Sequence, residues 1–135
     1  WRSRLGMYPD ENGASQELGL RSATRSALLA TLVQHGDLRR EVAQQLGGVE
    51  PASSQAVAEL ASAAHCFLAR APSRLLLVQL EDIAGEVEQM SLPGTVDQHP
   101  NWRRKLQRSM SSLFGDPTVI AMLKAINHSR GKIAH

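Results

Sequence analysis

The residues able to do chemistry fall in three places: adjacent carboxylates at Glu81 and Asp82, an imidazole beside a thiol at His65 and Cys66, and the stretch Ser91-Leu-Pro-Gly-Thr-Val-Asp-Gln-His-Pro100. Acid and base carboxylates must both reach one reacting atom. Glu81 and Asp82 are neighbours, and neighbours on a strand point to opposite faces. They read as polar residues that end one element and begin the next, and no catalytic residue is assigned. Adjacent helical residues do not face each other either, so Cys66 reads as a small apolar filler and not as a nucleophile activated by His65. The five histidines, His35, His65, His99, His128 and His135, show neither H-x-x-x-H nor H-E-x-x-H spacing, so no metal site is expected. No Gly-rich phosphate-binding motif occurs.

The elements that must position these groups are mostly helical. Residues 1–20 are rich in Gly, Asn, Asp and Ser and read as a loop. Helices are predicted across 22–71: one from Ser22 with Ala27, Leu28, Leu32 and Val33 inward, and a second capped by Asp37. A third opens at Pro51-Ala-Ser-Ser with Val57, Leu60, Ala61, Ala64, Phe67 and Leu68 inward, and stops before Pro72. Leu75-Leu-Leu-Val-Gln-Leu80 fits either a strand buried on both faces or part of a helix, and as a strand it finds no second run of its kind in the chain to pair with. The two prolines and the glycine of residues 91–100 exclude a regular helix and define a shaped loop. Asp116-Pro117 is a strong helix start, with Val119, Ile120, Leu123 and Ile126 on the inner stripe of a last helix over 116–130.

Composition narrows the class further. A chain of 135 residues can bury a real core, and no apolar run approaches the ~20 residues of a membrane-spanning helix. A net charge of +2 is too weak to imply nucleic acid. Cys66 is the only cysteine, which excludes an intrachain disulfide and fits a reducing, cytoplasmic setting. Position 1 is Trp and not Met, and no apolar signal segment comes after it, so the natural N-terminus is expected to be missing or trimmed.

Leu77-Val-Gln-Leu-Glu-Asp82, followed by Ser91-Leu-Pro-Gly-Thr95 and Pro100-Asn-Trp-Arg-Arg104, resembles the signature of the amylomaltase (4-α-glucanotransferase) family. That family has a strand of type LLVxLED followed by a loop of type NxPGT...PNWRR, in the same order and separation. The match is close over about residues 70–106. The resemblance implies an α/β fold, the C-terminal part of a (β/α)8 barrel, with the last strand over 74–81 and an active-site loop over 91–102; all-α is the alternative if the chain folds alone. A complete barrel takes ~250 residues. Trp1-Arg-Ser-Arg resembles the segment just after the family's final catalytic aspartate, which would put the catalytic carboxylates upstream of residue 1.

By the same resemblance the substrate is an α-1,4-glucan (maltodextrin), a segment of which passes through an aspartate to the 4-hydroxyl of an acceptor. No cofactor is implied. Ser91, Gly94, Thr95, Asn101 and Trp102 are the expected substrate-binding residues, because loops at the C-terminal ends of barrel strands line the active site. One departure stands out: the family carries Asn where this chain has Ser91. The chain alone is expected to be inactive, with no membrane or nucleic-acid partner. An unpaired segment 75–80 invites pairing between chains, hence a homodimer, or conversion to helix. The competing reading is a helical module that binds a protein or nucleic acid through Arg103-Arg104-Lys105 and the basic segment from Arg21 to Arg25.

Overall fold

The computed structural model describes residues 2, 5–8 and 11–131, the side chain of Glu11 excepted. Six helices succeed one another: α1 (Glu11–Gln34), α2 (Arg40–Gly47), α3 (Ser54–Ala69), α4 (Leu80–Ala84), α5 (Met110–Phe114) and α6 (Pro117–Gly131). The core forms where α1, α2 and α3 meet, from Leu29, Leu32, Leu38, Val42, Leu46, Ala56 and Ala63, with Leu60, Ala64 and Phe67 packed against it. Alanines at Ala56 and Ala63 let α3 approach its neighbours closely. Its other side lies along α6, where Val119 and Ile126 are buried.

Local chemistry explains most boundaries. The Ser53 hydroxyl accepts the Ala56 N–H at 3.2 Å and starts α3. Ser109 does the same for α5 through Ser112 N–H at 3.2 Å. Asp116 accepts the Thr118 N–H at 2.8 Å ahead of Pro117, the N-cap and N1 pair that the sequence predicts. α2 departs from expectation. It begins at Arg40 with Arg39 at its N-cap and no side-chain cap, because Asp37 is engaged elsewhere, in a two-pronged ion pair with Arg70 at the end of α3. That pair ties the α1–α2 turn to α3.

The expected α/β fold is not observed: among the described residues there is no strand, and the architecture is helical. The segment over 75–79 runs without turn or bend but pairs with no described residue. A strand exists through the ladder it makes with a neighbour, and among the described residues no second strand pairs with this run. Leu80, expected to end the strand, opens α4, with Glu81 and Asp82 in its first turn and Gly85 at φ +72° as its left-handed cap. The all-α alternative is the one consistent with the structure.

The first helix starts at Glu11, so the loop expected over 1–20 is helical from there onward. Periodicity misses this because residues 18–28 of α1 are exposed on every side and need no apolar stripe. What supports them is charge and hydrogen bonding: Glu17 accepts from Arg21 at 2.5 Å one turn on, and from Tyr8 at 2.5 Å. The inner stripes shift by a residue as well. In α1 it is Leu29, not Leu28, that is buried; in α3 Val57 and Leu68 are exposed while Ala56, Ala63 and Ala69 are buried; in α6 Ile120 is exposed.

Candidate functional site

The stretch between α4 and α5 contains no helix or strand, yet it is closely bonded to itself. Asn101 is its centre. Its Oδ1 accepts the Leu92 N–H at 2.8 Å, while its Nδ2 donates to the Thr95 carbonyl and the Thr95 hydroxyl, both at 3.0 Å. Thr95 Oγ1 donates in turn to the Leu92 carbonyl at 2.6 Å. Leu92 is thereby drawn under the loop and buried. His99, buried beside it, donates from Nε2 to the Gln89 carbonyl at 2.9 Å. Gly94 holds φ +87°, a conformation that favours glycine, and a Cβ there would meet Met7 Cε at 3.1 Å.

Trp102 comes directly after this knot and contrasts with it. Its N–H donates to the Met90 carbonyl at 2.8 Å, which holds a bulky residue at φ +58°, a backbone region that side chains larger than glycine rarely enter. The residue is 77% exposed. A backbone held in an unfavourable conformation to present an apolar ring to solvent is the arrangement in which strain accompanies a function.

The ring borders a cleft of about 580 Å³ between α4 and the loop. Gln79, Glu81, Asp82 and Ser91 also line it. The Asp82 carboxylate lies 3.5 Å from Nε2 of the buried His65, whose Nδ1 donates to the Ala61 carbonyl at 2.8 Å. Neither Glu81 nor Asp82 is among the residues that the sequence assigns to the site. Their adjacency rules out a matched pair on a strand; in the first turn of α4 both residues line the one cleft. Ser91 also faces a second hollow of about 490 Å³, lined by Arg2, Tyr8, Arg21 and Pro93. There the Tyr8 hydroxyl and then Arg21 hold the Glu17 carboxyl down at about 2.

The five sequence-predicted residues divide by what they touch. Ser91 and Trp102 reach the cleft, Thr95 and Asn101 turn their polar atoms into the loop, and Gly94 shapes it. Of the basic residues, Arg104 is paired with Glu88 and Arg21 with Glu17, while Arg103 and Lys105 are exposed. Among the described residues no group of His, Cys, Asp and Glu is placed to hold a metal ion, and no helix is long and apolar enough to cross a membrane. Trp1, Ser3, Arg4 and His135 lie outside the described residues.

The loop closed by Asn101 and the cleft lined by Glu81, Asp82, Ser91 and Trp102 are the arrangement to set beside known proteins. Residues 20–111 match the family model for 4-alpha-glucanotransferase. The 4-alpha-glucanotransferases of Mycobacterium tuberculosis and Mycobacterium bovis are each 38% identical over 102 residues, which cover 76% of this chain and 12% of theirs. That of Haemophilus influenzae is 33% identical over 66 residues, 49% of this chain and 9% of its own. The chain belongs to the 4-alpha-glucanotransferase family, and it spans about 12% of the length of the mycobacterial relatives. No solved structure matches it.

Proposed function

We propose that this chain forms one wall of a glucan-binding cleft, in a protein that transfers an α-1,4-glucan segment to the 4-hydroxyl of an acceptor maltodextrin. The observation that carries the reading is Trp102, 77% exposed at φ +58° on the rim of the cleft. A flat aromatic face covers the apolar C–H face of a sugar ring. Carboxylates and hydroxyls in the same cleft accept from and donate to the ring hydroxyls, and Glu81, Asp82 and Ser91, which line it with Trp102, supply them.

Thr95, Asn101 and Gly94 act in this reading by holding Trp102 and Ser91 in place, not by touching sugar. Ser91 replaces the longer amide of the family pattern, so a hydroxyl there reaches less far and holds the glucan more weakly. The single cysteine, Cys66, supports a reducing, cytoplasmic setting. No cofactor or metal enters the reaction.

Transfer with retention needs two carboxylates ~5 Å apart on either side of the scissile bond. Glu81 and Asp82 share one helical turn on one wall, so they bind and do not cut, and the chain by itself does not turn substrate over. The test is disproportionation of maltotriose by the purified chain, read as glucose release. No glucose is expected, and sustained release at a rate proportional to protein would refute the assignment of Glu81 and Asp82 to binding. Quenching of tryptophan fluorescence by maltoheptaose, present in the chain and lost in Trp102→Ala, tests the binding half.

A further inference from the structure

Helix α4 carries two of the carboxylates that line the cleft, yet little in its own sequence holds it. It is five residues long, has no side-chain cap at Gln79 and buries none of its residues. So short a helix is not stable by itself, because nucleation is costly and isolated helices below about 12 residues are marginal. A contact from outside must fix its first turn. Among the described residues, the one ion pair or side-chain hydrogen bond that α4 makes joins Asp82 Oδ2 to Nε2 of His65 on α3, at 3.5 Å.

The two partners differ in the way that a support differs from what it supports. His65 is 8% exposed, and its ring is fixed at one edge by the Nδ1–H that donates to the Ala61 carbonyl at 2.8 Å. A carbonyl only accepts, so Nδ1 carries a proton; with Nε2 protonated as well, the ring is a cation that donates toward the carboxylate. Asp82 keeps 51% of its side chain exposed, and its Oδ1 has no hydrogen bond to a described residue, so one oxygen lies against the core while the other is left for a ligand of the cleft. Glu81, its neighbour in the same cleft, has no ion pair with a described residue. The nearby guanidinium groups are engaged elsewhere: Arg70 with Asp37, and Arg130 of α6 with the carbonyls of Ala71 and Ser73.

We propose that His65 is a positioning residue of the cleft: from within α3 it sets the Asp82 carboxylate, and with it the first turn of α4, at the place where a sugar hydroxyl bonds to it. The ligand in this inference rests on the glucan reading of the cleft, whereas the positioning rests on the His65–Asp82 contact alone. His65 itself touches no sugar; it acts through Asp82 and not through Glu81.

Two readouts on the intact chain test the proposal. In the isotopically labelled chain without sugar, His65→Leu should displace the amide resonances of residues 80–84 and quicken their hydrogen exchange. His65→Gln, whose amide N–H reaches about as far as Nε2, should return both toward the parent chain. Maltoheptaose affinity, read by tryptophan quenching, should fall about tenfold in His65→Leu and less than about threefold in His65→Gln. Added to Asp82→Ala, His65→Leu should cost nothing further, and added to Glu81→Ala it should cost its full tenfold, about the coupling expected of side chains in contact. Circular dichroism checks that each variant is folded; if His65→Leu is not, Asp82→Asn, at an exposed position, must displace the His65 ring resonances. Residues 80–84 that ignore His65→Leu in a folded chain, a glutamine variant as poor as the leucine one, or losses that add between His65→Leu and Asp82→Ala overturn the proposal. A parent chain that binds no maltoheptaose refutes the glucan reading instead, and the resonances of α4 then decide the positioning by themselves.

Discussion

The junction of α1, α2 and α3 and the loop before α5 are both ordered, but by different physics. The first is closed by apolar side chains, with Leu32 fully buried among leucines and alanines. The second is closed chiefly by polar bonds centred on Asn101, which accepts one hydrogen bond and donates two within its own loop. Burial is non-directional and tolerates exchange of similar shapes. A hydrogen-bonded knot is directional, and it is what allows the adjacent Trp102 to stand out in solvent at a fixed orientation. Stability is therefore concentrated in one region and shape in the other.

Substitutions in the two regions should separate these roles. Leu32→Ala removes a fully buried side chain and is expected to cost about 2–5 kcal/mol, seen as a lower urea midpoint for the whole helical signal. Asn101→Ala leaves the Leu92 N–H and the Thr95 carbonyl without their partner and is expected to cost about 1–3 kcal/mol. Its effect should be local: hydrogen exchange should quicken at Leu92 and Trp102 while α1 to α3 keep their protection. Equal loss of protection in both regions would show that the loop and the helical core form one cooperative unit.

Trp102→Gly sharpens the contrast from the other side. Glycine adopts φ +58° freely, and relief of backbone strain at such positions is worth about 1 kcal/mol or more. Thermal stability should rise slightly while maltoheptaose binding disappears. A variant that loses stability would show that the exposed ring packs more than it binds.

The smallest effect concerns pH. Hydrogen bonds from Tyr8 and Arg21 lower the Glu17 carboxyl from 4.5 to about 2. A carboxyl lowered on folding stabilises the fold above its unfolded value, and that contribution is lost as pH falls through the folded one. The Glu17 cluster should therefore hold α1 fully above about pH 4.5 and release it toward pH 2. Asp116, lowered by the Thr118 N–H and then by Arg108, acts in the same sense at the start of α6. Helical ellipticity monitored from pH 5 down to 2 should fall less steeply in Glu17→Gln, in which that carboxyl no longer titrates.

Where burial or a cap decides the structure, the sequence carries a readable sign. Asp116-Pro117 marks the start of α6 and Ser53 that of α3, because a side-chain oxygen and a fixed φ act locally. The prolines of residues 91–100 place the loop for the same reason. Three features leave no such sign. The beginning of α1 has no apolar stripe, since water surrounds it. Leu75 to Leu80 satisfies both periodicities, and the absence of a pairing partner among the described residues is what decides it. Trp102 reads as a packing residue or a platform until its φ is known, because bulky residues seldom adopt the left-handed region. Strand geometry sets the carboxylates Glu81 and Asp82 apart, and the structure replaces it with a helical turn that brings both to the cleft.

The central claim is that Trp102 is the platform on which an α-glucan rests, and the indole N–H resonance of Trp102 reports on it directly. Titration of the isotopically labelled chain with maltoheptaose should move that resonance saturably, with smaller shifts at Ser91 and in the first turn of α4, and cellohexaose, of opposite linkage, should leave all three in place. A Trp102 signal that stays fixed while maltoheptaose is added, or that moves equally with both sugars, would contradict the account.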